Sequence, residues 1–110
     1  MPLVVLGVNQ KTAPLSLLER VALNGDDLDK MLDALAAMDS SVEVVILSTC
    51  MRTEVYAELD RFHDGVAEIV SALARWSGLS EQELAKYTYT QFDRAAIAHL
   101  FRVASGLDSA

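Results

Sequence analysis

Two short apolar runs, separated by a tight polar segment, constrain the fold of this chain most. The first run, Val42–Leu47, is dense in β-branched residues, and the second, Thr53–Leu59, alternates apolar with polar side chains. Both patterns are typical of β-strands, because successive strand residues point to opposite faces of a sheet. Only Ser48–Arg52 separates the two runs. The sequence therefore predicts two strands joined by a tight turn, with Cys50 at its centre.

The rest of the chain supplies one helix-and-strand unit on each side of this hairpin. Apolar residues Ile97, Leu100, Phe101, Ala104 and Leu107 form one stripe of the last helix, which we expect to face the core. The order β, α, β, β, α, β, α predicts an α+β fold, a ferredoxin-like split βαβ sandwich whose antiparallel sheet carries helices packed on one face. The remaining predicted elements are strand Leu3–Val8, an apolar stretch Leu15–Val21, a helix carrying Leu28 to Met38, a helix Phe62–Trp76, a short helix Ser80–Lys86, strand Tyr87–Thr90 and a helix Ala95–Leu107.

Composition narrows the class of protein. A chain of 110 residues, 52% of them hydrophobic, fits one compact domain. The formal charge of −7 argues against a stand-alone nucleic-acid binder, and basic residues do not alternate with aromatic ones as RNA-binding sheets require. One cysteine cannot form an internal disulfide, and no apolar stretch of about 18 residues occurs. We therefore expect a cytoplasmic protein with no membrane partner.

The sequence around Cys50 leaves two interpretations open. A lone cysteine is often a small buried hydrophobe. However, the neighbours of Cys50 are polar, and Arg52 would place a positive charge near the sulfur, which stabilises the nucleophilic thiolate. An exposed, activated thiol suits acyl transfer. Alternatively, Arg52 pairs with Glu54 or Glu43 on the sheet surface, and spacing alone does not decide between these roles.

His99 is the candidate partner of the thiol. It lies at the border between the apolar stripe and the polar side of the last helix, where histidine is commonly a half-buried structural residue. As a partner of Cys50 it would serve as base, acid or orienting donor. His63 lies among charged residues at a helix start, where a solvated capping role is expected. The histidines and the cysteine lack metal-ligand spacing, and no GxGxxG or GxxxxGK[ST] loop occurs, so neither a metal nor a dinucleotide site is predicted in this chain.

Three segments carry a resemblance to a known family. Val45–Tyr56 is very similar to the signature segment of glutamyl-tRNA reductases, Gly7–Pro14 resembles the opening of their N-terminal catalytic domain, and His99–Ser109 resembles the stretch that closes it. The chain departs from the family at Met51, where Asn is usual, and at Leu18, where Arg is usual.

The resemblance implies a reaction and roles for residues. The Cys50 thiolate would attack the ester of glutamyl-tRNA to form a thioester, which NADPH would reduce to glutamate 1-semialdehyde for tetrapyrrole (porphyrin and haem) biosynthesis. His99 would assist this chemistry. The expected substrate-binding residues are Thr49, Met51, Arg52 and Ser109, with Arg52 gripping the free carboxylate of the glutamate.

The resemblance also implies a larger assembly. Residues 1–110 would be the catalytic, thioester-forming domain, and the complete enzyme would add an NADPH-binding domain and a dimerisation domain. The expected partners are glutamyl-tRNA, a second subunit of a homodimer and the next enzyme of the pathway, an aminomutase. The alternative is a ferredoxin-like binding or regulatory module that has lost the chemistry, with Met51 as its first sign. Reactivity of the thiol separates these two hypotheses.

Overall fold

The computed structural model describes residues 2–106, apart from the side chain of Val42. Within this range a four-stranded sheet is combined with five helices. The elements are β1 (Leu3–Asn9), α1 (Leu15–Val21), α2 (Asp26–Ala36), β2 (Ser41–Ser48), β3 (Arg52–Leu59), α3 (Phe62–Ser77), α4 (Glu81–Ala85), β4 (Tyr89–Phe92) and α5 (Asp93–Ala104).

All strand pairs in the sheet are antiparallel, in the order β2-β3-β1-β4. Strand β1 therefore lies between β3 and β4, and its Gly7 is opposite Glu54 on one side and Tyr89 on the other. Strands β2 and β3 form the predicted hairpin. This strand order is that of a split βαβ sandwich, and the predicted α+β class with an antiparallel sheet is confirmed.

The main core lies on the first face of the sheet, defined by Val4, Leu6 and Val8 of β1. Strand residues of this face are buried against the apolar sides of helices α1 to α4, as the period-2 and period-3.6 patterns predict. The buried residues on these elements include Val55, Ala57 and Leu59 of β3, Leu17, Leu18 and Val21 of α1, Met31 and Leu35 of α2, Ile69 and Leu73 of α3, and Leu84 of α4.

Helix α5 departs from the expectation that the helices share one face. It packs on the second face of the sheet, where Ala96 contacts a small cluster with Val5 and Tyr56. The predicted core stripe of this helix is wrong within residues 2–106: Ile97, Leu100 and Phe101 are exposed. Small Ala96 and polar His99 are buried instead, because the second face carries polar groups that require a hydrogen-bonding partner. Leu107, the last residue of the stripe, lies outside the described residues.

Two further boundaries bear on the predictions. Ser80 caps the start of α4, since its Oγ accepts a hydrogen bond of 3.0 Å from the Glu83 amide. The last strand begins two residues later than expected, because Tyr87 N donates to Leu84 O and closes the end of α4. Among the helices that are described, none has both the length and the apolarity needed to cross a membrane.

Candidate active site

Cys50 lies exposed in the turn between β2 and β3. Main-chain bonds hold this turn from two sides: Thr49 N donates to Arg52 O at 2.7 Å, and Gln10 N donates to Met51 O at 3.1 Å. Met51 N also donates to Thr49 Oγ1 at 3.2 Å. The backbone is thus fixed while the thiol faces solvent. The alternative of a buried core cysteine is contradicted by this placement.

The base of the turn is tied to the segment that follows α1. Ser48 Oγ accepts a hydrogen bond of 2.9 Å from Leu23 N and lies 2.9 Å from Thr53 Oγ1. A cavity of about 300 Å³ opens between this segment and the turn. It brings Leu18, distant from Cys50 in sequence, to the same cavity as the thiol. The lining residues are Leu15, Leu18, Glu19, Ala22, Asn24, Thr49 and Cys50.

A buried carboxylate organises the second face of the sheet next to this turn. Glu54 is fully buried, and its Oε2 accepts a hydrogen bond of 3.1 Å from Arg52 Nη1. The same oxygen is bonded to His99 Nε2 of α5 and to the Tyr89 hydroxyl of β4. Tyr56 donates its hydroxyl to the other oxygen, Oε1, at 2.9 Å. One carboxylate therefore joins side chains from two strands and a helix.

The hydrogen bonds decide the charge of this carboxylate. Burial by itself raises the pKa of Glu54, because a buried carboxylate loses the solvation of its charged form. The hydrogen bonds from Tyr89, His99 and Tyr56, with the charge of His99, outweigh burial and lower the pKa of Glu54 below its ordinary value. Burial, followed by the bond to Glu54, raises the pKa of Tyr89. At neutral pH an anionic Glu54 thus accepts from a neutral Tyr89.

The family model described as "Glutamyl-tRNAGlu reductase, N-terminal domain" matches residues 6–110. The chain belongs to this family. It is 50% identical over 109 residues to the glutamyl-tRNA reductase of Frankia alni and 45% identical over 109 residues to that of Streptomyces coelicolor. These alignments cover 99% of the chain but 23% and 19% of the respective relatives.

A solved structure supports the same relationship. The chain is similar to the structure titled "Glutamyl-tRNA Reductase from Methanopyrus kandleri", with a TM-score of 0.65 and 29% sequence identity. The match covers 97% of the chain and 23% of that structure's chain. The reductase-family chain therefore spans about a fifth of the length of its curated relatives.

Within this reductase-family domain the predicted site residues fall into two groups. Arg52 and His99 are brought together, because both bind Glu54. Cys50 and Thr49 instead line the cavity beside α1, and no hydrogen bond within residues 2–106 joins Cys50 to His99. Met51 is exposed on the turn. Ser109 lies outside the described residues, so its predicted role stays a prediction.

The pairing of Arg52 resolves one alternative. Its guanidinium is 1% exposed and binds Glu54, so the ion pair considered from the sequence exists, but it is buried rather than on the sheet surface. His99 is likewise buried, whereas His63 is exposed at the start of α3.

Sequence reasoning does not predict three members of this cluster in their observed place: Glu54, which it offers only as a surface partner of Arg52, and the tyrosines Tyr56 and Tyr89. The alternation of β3 did contain a signal for the first two, because Arg52, Glu54 and Tyr56 are two residues apart and share a face. Three polar side chains in a row on a covered face indicate a buried network. Tyr89 had no such signal, since its place depends on the pairing of β4 with β1.

Proposed function

We propose that this chain carries out the thioester-forming half of the glutamyl-tRNA reductase reaction. The Cys50 thiolate attacks the carbonyl carbon of the ester that links glutamate to tRNA. A carbon–sulfur bond forms, the ester carbon–oxygen bond breaks, and the terminal ribose hydroxyl of tRNA leaves with a proton. The observation that carries this proposal is the exposed thiol at the rim of a cavity, on a fixed turn of a reductase-family domain.

The cluster around Glu54 supports the proposed roles of Arg52 and His99. An anionic Glu54 holds the guanidinium and the imidazole in fixed orientations, as the orienting group of a catalytic triad does. A guanidinium has five N–H donors and can bind two carboxylates at once, but Arg52 is 1% exposed, so it would have to become accessible as the substrate enters. His99 would then take the proton of the Cys50 thiol and pass it to the leaving ribose oxygen. Thr49 and Met51 would contact the substrate from the turn, with Ser109 as a further contact.

NADPH supplies hydride in the reduction that completes the proposed reaction and gives glutamate 1-semialdehyde for tetrapyrrole biosynthesis. The described residues do not fit a dinucleotide. The usual site needs a glycine-rich turn between a parallel strand and a helix, whereas this sheet is antiparallel and its Gly7 is covered by Glu54. We therefore assign reduction to the part of the longer relatives that this chain does not match. Homodimerisation, docking of an aminomutase and a cytoplasmic location belong to the same proposal.

The proposal is tested by intact mass spectrometry. The chain is incubated briefly with glutamyl-tRNA, quenched in acid and weighed, with Cys50→Ser as the control. We expect a glutamyl adduct on the parent and none on the variant, whose fold should be intact because position 50 is exposed. Parallel alkylation with iodoacetamide measures thiol reactivity. A reactive thiol without an adduct would show that this chain does not acylate itself, and an inert thiol would favour the non-catalytic binding module.

A further inference from the structure

Tyr89 reaches the buried carboxylate across a gap in the central strand. In the sheet, Gly7 of β1 lies between Glu54 of β3 and Tyr89 of β4. A Cβ atom at Gly7 would lie 2.9 Å from Glu54 Cγ and 2.6 Å from the backbone oxygen of Thr53. No side chain fits at this position. The absence of one lets the Tyr89 hydroxyl and the Glu54 carboxylate meet over the middle strand.

Tyr89 contacts both members of the Glu54–His99 pair. Its hydroxyl donates to Oε2, the oxygen that also binds His99 Nε2 and Arg52 Nη1. Its ring lies beside the imidazole, with the two centroids 5.3 Å apart and the planes at 55°. Because an ionised carboxylate only accepts hydrogen bonds, Glu54 requires a proton on Nε2 of His99. Tyr89 therefore restrains both the Glu54 oxygen that accepts from His99 and the plane of the imidazole ring.

We propose that Tyr89 is a positioning residue that fixes the orientation of His99 through Glu54. Its importance for ester cleavage rests on the proposed function, whereas its effect on the imidazole does not. Without the hydroxyl, Oε2 loses the donor contributed by β4, and the carboxylate is held from β3 and α5 alone. The His99 ring then samples further orientations, and cleavage slows because its ring nitrogens are less well placed.

The test removes the hydroxyl oxygen of Tyr89 and compares the effect with that of the same change at Tyr87. Tyr89→Phe deletes the hydroxyl that binds Glu54, and Tyr87→Phe is the matched control, because Tyr87 packs against the first-face core instead. The chain has two histidines, and His63→Gln assigns their signals. Nitrogen-15 spectra of the imidazoles at neutral pH report which ring nitrogen of His99 carries the proton and, through its shift, the hydrogen bond that this N–H makes. Thermal unfolding by circular dichroism verifies that each variant is folded.

In Tyr89→Phe we expect the Nε2 shift of His99 to move as its hydrogen bond to Glu54 loses its fixed geometry. The rate of Cys50 acylation by glutamyl-tRNA should fall by roughly tenfold, a part of the 10²–10⁴-fold that a positioned acid–base group contributes. Tyr87→Phe should match the parent in both the His99 nitrogen shifts and the acylation rate. Gly7→Ala, which disturbs the same bond from the middle strand, should move the His99 shifts in the same way.

Two results would overturn this inference: unchanged His99 shifts in folded Tyr89→Phe, or equal changes in the Tyr87→Phe control. If the parent itself forms no adduct, the proposed function fails, and the nitrogen spectra alone still decide whether Tyr89 positions the imidazole.

Discussion

Replacing Glu54 by glutamine should cost this fold a large part of its stability. The substitution keeps the shape of the side chain but removes the charge that faces buried Arg52. An amide nitrogen would also stand where one oxygen now accepts hydrogen bonds, so it would oppose the donors of Tyr89 or Tyr56.

The magnitude follows from the burial of the pair. Arg52 is 1% and Glu54 0% exposed, and removing one partner of such a pair costs roughly 3–5 kcal/mol, because the other charge stays buried and loses its attraction to that partner. A domain of this size is typically stable by about 5–15 kcal/mol. With a urea dependence near 2 kcal/mol per molar, the unfolding midpoint should fall by about 2 M.

The dependence of stability on pH provides a second, independent test of this charge. The pKa of Glu54 is lowered below its ordinary value of 4.5 by folding. Its contribution to stability is therefore complete above the unfolded pKa and is lost as the pH falls through the folded pKa. Urea unfolding followed at 222 nm should show a wide gap between the unfolding midpoints of the parent and Glu54→Gln at pH 7. That gap should narrow below about pH 4.

The control for this experiment is Glu58→Gln. Glu58 lies on the same strand and points to the same face as Glu54 but is partly exposed. The unfolding midpoint of Glu58→Gln should therefore differ little from that of the parent. The reasoning would be refuted if Glu54→Gln and Glu58→Gln shifted the midpoint equally, or if the gap between parent and Glu54→Gln were the same at pH 3 and pH 7.

Three smaller experiments test the packing. Ile69→Ala should destabilise the first-face core by roughly 2–5 kcal/mol in urea unfolding, since Ile69 is fully buried. Phe101→Ala should lower the free energy of unfolding by less than about 1 kcal/mol in the same assay, because Phe101 is 68% exposed. A loss of stability as large as that of Ile69→Ala would show that Phe101 is a core residue. Gly7→Ala should lower the free energy of unfolding by roughly 1–3 kcal/mol, because the new methyl group must displace Glu54 or the β3 backbone. An unchanged melting temperature would show that there is more space at Gly7 than the 2.6 Å distance from an added Cβ to Thr53 O implies.

Local patterns predicted most of the fold. The hairpin, the first strand and the amphipathic helices follow from periodicity and caps, which depend on neighbours a few residues away. Helix α5 shows where periodicity fails, because its apolar stripe predicts the buried side, and Ile97, Leu100 and Phe101 of that stripe are exposed. The helix is oriented instead by His99, whose partner Glu54 lies 45 residues away in the chain. No local pattern contains that information.

The candidate site divides in the same way. Cys50 was found because a polar turn between two strands is a local feature, and Arg52 because it stands beside the thiol. The partner of Arg52 was open in the sequence, since spacing alone excludes neither Glu54 nor Glu43. The choice of Glu54 comes from the second-face cluster, which assembles only when β4 and α5 are in place.

The way in which the Cys50 turn is held bears on how its sequence can diverge. Residue 51 contributes a carbonyl oxygen to Gln10 N and an amide to Thr49 Oγ1, and its own side chain is exposed. Both anchors belong to the backbone, which every residue except proline provides in full. Substitution at this position therefore leaves both anchors of the turn in place, and methionine next to Cys50 is compatible with them.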